Sequence, residues 1–123
     1  MPDAGYSGTP LRKKLGISDD AHVGFAAEGH GGNLPPHCDV LVFFVTRRAE
    51  LEVRLTELLA RMDPAGSLWI SWPKRSSRLA TDLTENILRD VILPTGWVDN
   101  KVAAIDEAWS GLRFVLRKEL RPR

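Results

Sequence analysis

The stretch Asp39-Val-Leu-Val-Phe-Phe-Val-Thr46 decides the fold. Its centre, Val40 to Val45, is six apolar residues without alternation, the pattern of a strand covered on both faces, as in a parallel sheet. From Arg47 the period becomes that of a helix, with Leu51, Leu55, Leu58, Leu59 and Met62 on one stripe. Asp63-Pro-Ala-Gly66 breaks this helix, and Ser67 to Trp72 returns to an apolar strand. Toward the N-terminus, Ala21 to Glu28 reads as another strand and Gly29-His-Gly-Gly-Asn-Leu-Pro-Pro36 as a loop. Thr9-Pro10-Leu11 reads as a helix start, with a hydroxyl cap and a first-turn proline, and Gly16 as its stop.

Toward the C-terminus, Asp82 with Glu85 resembles a capping box, and Leu83, Ile87, Leu88, Val91 and Ile92 line one helical face up to Pro94 and Gly96. Trp97 to Ile105 and Leu112 to Arg117 are two further strands, with a connection short enough for an antiparallel hairpin. The expected fold is one α/β domain over residues 1–123, with a mostly parallel sheet of about five strands that ends in an antiparallel hairpin.

Composition narrows the function classes. At 123 residues, 43% apolar and 27% charged, the chain reads as one globular, soluble domain. Its longest apolar run is far short of the roughly 20 residues of a spanning helix, and its start has neither a basic region nor an apolar signal core. A cytoplasmic location without membrane association is the expectation. The single Cys38 forms no internal disulfide, and with His22, His30 and His37 it fits no standard metal spacing, so no metal site is expected. A net charge of +1 argues against a strong nucleic-acid binder. The C-terminal Arg113, Arg117, Lys118, Arg121 and Arg123 form a locally basic segment, read either as a solvated tail or as a phosphate-tracking arm.

The segments Gly5-Tyr-Ser-Gly-Thr-Pro-Leu-Arg-Lys-Lys-Leu-Gly-Ile17, Trp72-Pro-Lys74, Ala80-Thr-Asp-Leu-Thr-Glu85, Val98-Asp-Asn-Lys-Val102 and Trp109-Ser-Gly-Leu112 resemble a family of small bacterial proteins of unknown function. At the level of fold, the second half resembles the C-terminal half of class I S-adenosylmethionine-dependent methyltransferases. That resemblance implies a Rossmann-like three-layer sandwich. Those enzymes hold cofactor with a glycine-rich turn after the first strand, running into a helix, and with an acidic residue ending the second. Here Glu28-Gly-His-Gly-Gly32 leads through Asn33 into Leu34-Pro35-Pro36, too short a connection for the usual crossover. The resemblance therefore implies a truncated relative that has lost cofactor binding, and no cofactor is expected.

In a parallel sheet the chain leaves every strand at one edge, where ligands bind. Glu28 to Gly32, Thr46 to Arg48 and Trp72 to Arg78 should meet there, together with the hairpin turn around Asp106 and Trp109. Arg47, Lys74, Arg75 and Arg78 among the hydroxyls of Thr46, Ser76, Ser77 and Thr81 suit a phosphate or carboxylate. Trp72 or Trp109 offers a ring for stacking. The candidate ligand site is thus Thr46, Arg47, Trp72, Lys74, Ser76, Arg78, Thr81 and Trp109, against a plain reading of solvated cations and core tryptophans. Asp82 reads as a helix cap or a general base, and His30 as a loop residue or a proton-transfer group. No catalytic set is identified.

The expected function is a small binding or regulatory module that takes a small anionic ligand or a protein partner. One alternative is an enzyme, either methyltransferase-like or a transferase for phosphorylated substrates with Lys74 as charge stabiliser. Weak nucleic-acid binding by the basic C-terminus is another. A homodimer through a sheet edge or helix face is a further expectation.

Overall fold

The computed structural model describes residues 13, 15–18, 20–27 and 35–122, and the backbone of 30–33. Strands β1 (Val23–Ala27), β2 (His30–Asn33), β3 (Cys38–Phe44), β4 (Met62–Pro73), β5 (Trp97–Ala104) and β6 (Trp109–Leu116) join in one sheet, with helices α1 (Arg48–Ala60) and α2 (Glu85–Ile92) between them. The sheet order is β2-β1-β3-β4-β6-β5. β1, β3 and β4 are parallel neighbours. β6 runs antiparallel to β4 and to β5, so β5 points the same way as the central three. The α/β class, the mostly parallel direction and the antiparallel C-terminal hairpin agree with the sequence.

The run Val40 to Val45 is buried on both sides because alternate residues enter two separate cores. Leu41, Phe43 and Val45 join Leu68, Ile70 and Trp72 of β4 in the larger one. Both helices cover that face: Leu51, Leu55 and Leu58 of α1 and Leu88 and Ile92 of α2 pack into the same cluster. Each such side chain contributes on the order of 1.5 to 3 kcal/mol. Val40, Val42 and Trp69 point the other way, to Leu15 and Ile105. The Trp69 indole N–H donates to the Leu15 carbonyl at 3.2 Å, which ties the segment before β1 onto this face. Among the described residues, the third layer is this segment.

Several expectations change. The glycine-rich 29–36 region is not all loop, since His30–Asn33 returns antiparallel along β1, pairing Phe25 with Asn33 and Ala27 with His30. The open edge of β1 offers backbone donors and acceptors, and ladder pairing needs no side chains, so it prevails over the weak strand propensity of glycine. The sheet consequently has six strands. β4 starts before the predicted Ser67: Cys38 pairs with Met62 and Val40 with Ser67, so Asp63 to Gly66 form a bulge. β6 starts at Trp109, because the Asp106 carboxylate accepts from the Ala108 and Trp109 N–H groups at 2.7 and 2.8 Å and tightens the turn. The predicted helix over Thr9 to Leu15 falls mostly outside the described residues; Lys13 is helical, and Gly16, at φ 75°, closes that turn with a bond from its N–H to the Lys13 carbonyl.

Candidate ligand site at the carboxyl edge

β3, β4 and β5 all end at one edge of the sheet, so the segments 45–47, 74–84 and 105–108 meet there. Short local bonds hold them. The Lys74 N–H donates to the Ala108 carbonyl at 2.7 Å, joining the β4 exit to the β5–β6 hairpin. The Thr81 hydroxyl donates to the Thr46 carbonyl at 2.7 Å and accepts from the Leu83 N–H at 3.0 Å. The Ser77 hydroxyl donates to the Lys74 carbonyl at 2.7 Å and accepts from the Leu79 N–H at 3.2 Å. Two hydroxyls read as ligand donors are thus engaged in fixing the loop.

Asp82 does not cap the helix that follows it. The N-cap of α2 is Thr84, which accepts from the Ile87 N–H at 3.2 Å. Asp82 reaches instead to α1, where its carboxylate accepts from the Arg48 N–H at 2.8 Å. α1 has no side-chain cap of its own at Arg47, so a residue from the next crossover supplies one. An acid is favoured there because the first turn exposes unpaired N–H groups and the positive end of the helix dipole.

Two grooves open at this edge. One, of about 420 Å³, is lined by residues that include Trp72, Arg75, Leu79, Thr81, Asp82 and Glu85. The other, of about 550 Å³, is lined by Thr46, Arg47, Ala80, Thr81 and Asp82. Four of the eight predicted ligand residues, Thr46, Arg47, Trp72 and Thr81, therefore line these grooves. Lys74, Ser76, Arg78 and Trp109 do not. Lys74 is half-buried and Ser76 and Arg78 are exposed on the 3-10 turn Arg75–Ser77 and its cap. Arg78 is the one described non-glycine residue with positive φ, at 62°, which turns the chain back toward α2. Trp109 lies across the sheet from Trp72: its ring meets Phe44 edge-on at 5.5 Å on the second face, whereas Trp72 is in the larger core. They cannot stack on the same ligand. Glu28 and the His30 side chain lie outside the described residues.

In the C-terminal basic segment, Arg113 donates to the Ser67 hydroxyl at 2.9 Å and Arg121 to the Leu116 carbonyl at 2.8 Å. No helix among the described residues is long and apolar enough to cross a membrane.

A second polar cluster, at the opposite edge, escaped the sequence reading. His37, Asp39 and Asp63 place their ligand-type atoms within 4.8 Å of one another. The Ala65 N–H and then the His37 ring hold the Asp63 carboxyl below its usual range. Cys38, next in sequence, belongs to the larger core instead. Burial pushes its thiol up, Arg61 opposes this less strongly and Asp39 adds to the rise, so it is a poor nucleophile at neutral pH.

No protein-family profile matches the chain, and a search of the curated proteins finds no match. Among solved structures, it is similar to a DhpI–SAH complex, with a TM-score of 0.53 at 12% identity over 91% of this chain and 71% of that one. It also aligns with ribosomal protein L11 methylase from Lactobacillus delbrueckii subsp. bulgaricus, with a TM-score of 0.47 at 11% identity over 69% of this chain and 40% of that one. A third alignment is with the fibrillarin pre-rRNA processing protein of Methanococcus jannaschii, with a TM-score of 0.48 at 14% identity over 68% and 39%. The chain spans about two fifths of the length of the last two. At these identities the likeness is one of architecture alone, and the chain shares the Rossmann-like α/β fold of the DhpI–SAH complex.

Proposed function

We propose that the chain is a small binding module that takes an anionic ligand, such as a phosphorylated or carboxylated metabolite, at the carboxyl edge of its sheet. The observation that carries this reading is the turn after β4, which presents Lys74, Arg75 and Arg78 on a backbone fixed by Ser77 and by the Ala108 carbonyl. Among the described residues, no side-chain hydrogen bond or ion pair engages these three cations, which leaves them available for charge-assisted bonds. The groove beside them contains Arg75 together with Asp82 and Glu85. A ligand with an anionic end for the turn and hydroxyls for the carboxylates suits that pairing.

The test is thermal unfolding of the full chain against a panel of nucleotides, sugar phosphates and carboxylates. At least one should raise the melting temperature, and the variant Lys74→Ala/Arg75→Ala/Arg78→Ala should lose that shift. No stabilisation by any compound, or a shift intact in the variant, would refute the reading.

A second reading is an enzyme of the methyltransferase kind. The fold likeness to the DhpI–SAH complex supports it more directly than it supports a binding module. Against it stands the β1–β2 hairpin, which takes the place of a glycine turn leading into a helix. Titration calorimetry with S-adenosylmethionine separates the two. Saturable heat that survives the triple substitution supports the enzyme, and silence at millimolar cofactor removes it.

A further inference from the structure

The amino-terminal edge of the sheet gathers donors from three places in the chain. His37 immediately precedes β3, Asp39 is its second residue, and Asp63 stands in the β4 bulge. His37 Nε2 and Asp63 Oδ2 are 2.9 Å apart. His22, just before β1, places Nδ1 3.6 Å from Asp39 Oδ2. Each carboxylate is oriented by a backbone N–H and keeps an oxygen for another partner. Asp63 Oδ1 accepts from Ala65 at 2.7 Å, which leaves Oδ2 toward His37. Asp39 Oδ2 accepts from His22 at 2.9 Å, which leaves Oδ1. Outer hydrogen bonds of this kind fix ligands around a metal. The approach depends on Gly66, where a Cβ would lie 2.6 Å from the Asp39 carbonyl oxygen. A groove of about 320 Å³, lined by Asp63, Pro64, Ala65, Arg121 and Pro122, opens beside the cluster and gives it access to solvent.

We propose that His37, Asp39 and Asp63, with His22 as a fourth donor, bind a divalent first-row transition ion of the zinc type. Donors on tetrahedral zinc, at bond lengths of about 2.0 to 2.2 Å, sit roughly 3.3 Å apart. The His37–Asp63 separation of 2.9 Å needs only a slight opening to meet this. The wider separations close by rotation of exposed side chains, His22 and His37 being 71% and 59% accessible. Mixed imidazole and carboxylate donors select zinc, cobalt or nickel over magnesium and calcium, which take oxygen ligands. The bound ion would join the entries to β1, β3 and β4, while the ligand groove lies at the other end of these strands. This inference is independent of the binding reading above.

The experiment uses untagged full-length protein stripped with a chelator, then titrated with zinc by calorimetry and with cobalt by visible absorption. One ion per chain should bind, and cobalt should give the intense bands of a tetrahedral site. His37→Ala and His22→Ala, both at exposed positions, should each weaken binding by about tenfold or more, and Asp63→Asn should do the same. Cys38→Ser should bind as the parent does. Absence of saturable uptake, uptake unchanged in His37→Ala/Asp63→Asn, or loss confined to Cys38→Ser would overturn the proposal.

Discussion

Replacing Asp82 with alanine should loosen α1, a helix that begins more than thirty positions earlier in the chain. The carboxylate accepts from the Arg48 N–H at 2.8 Å, and Arg47, the N-cap position, provides no side-chain capping bond. Loss of a capping acceptor costs about 1 kcal/mol. Loss of an acid at the positive end of the dipole adds about 0.3 to 1 kcal/mol. The sum, roughly 1 to 2 kcal/mol, corresponds to a fall in melting temperature of about 4 to 8 °C for a domain of this size. Asp82→Asn keeps an acceptor and loses only the charge, so it should retain about half or more of that contribution, and the difference should shrink in high salt. Urea denaturation at low and high ionic strength measures all of these. If Asp82→Ala stays within about 0.3 kcal/mol of the parent, or if Asp82→Asn is as damaging as Asp82→Ala, cross-element capping is wrong. Thr84→Ala is the control, because it removes the cap of α2 and should be indifferent to salt.

Trp69→Phe keeps an aromatic ring but removes the indole donor that holds Leu15 and leaves a void at a fully buried position, so it should cost more than the about 1 kcal/mol of the hydrogen bond alone and quicken proteolysis ahead of β1; an unchanged cleavage rate would sever that link. Ser71 is fully buried and its hydroxyl has no partner among the described residues. Ser71→Ala should therefore be neutral or stabilising, by up to about 1 to 3 kcal/mol in urea denaturation, whereas a clear loss would reveal a partner for the hydroxyl.

What was legible in the sequence followed from periodicity. Val40 to Val45 and the leucine stripe from Leu51 are signals carried by neighbours in the chain, and β3 and α1 lie where those patterns put them, whereas β4 takes in Met62, which the stripe had assigned to the helix. The β2 strand was not legible because its stability comes from the backbone of β1, which leaves no trace in His30-Gly-Gly-Asn33. Asp82 was read as the cap of the helix that follows it, where Thr84 stands instead; that it caps α1 follows only from the crossover geometry. The candidate groove was half legible. Positions at strand exits follow from topology, as Thr46 and Trp72 do, whereas the side of the sheet that Trp109 faces depends on where β6 begins. The His37–Asp63 contact spans 26 positions and rests on a bulge, which shifts register without any marked change in composition.

The hairpin that stands where a crossover would be expected also determines how the sheet terminates. An open sheet is a template for lateral growth wherever a long, flat, apolar strand is left unpaired on one side. Here one border is β2, four residues with two glycines and no branched apolar side chain. The other is β5, which carries Asp99, Asn100 and Lys101 and loses register with β6 between Asp99 and Lys101. Shortness at one border, and charge with a register break at the other, make both poor seeds for cross-chain ladders. Neither border therefore favours edge-to-edge stacking of one copy of the chain on another.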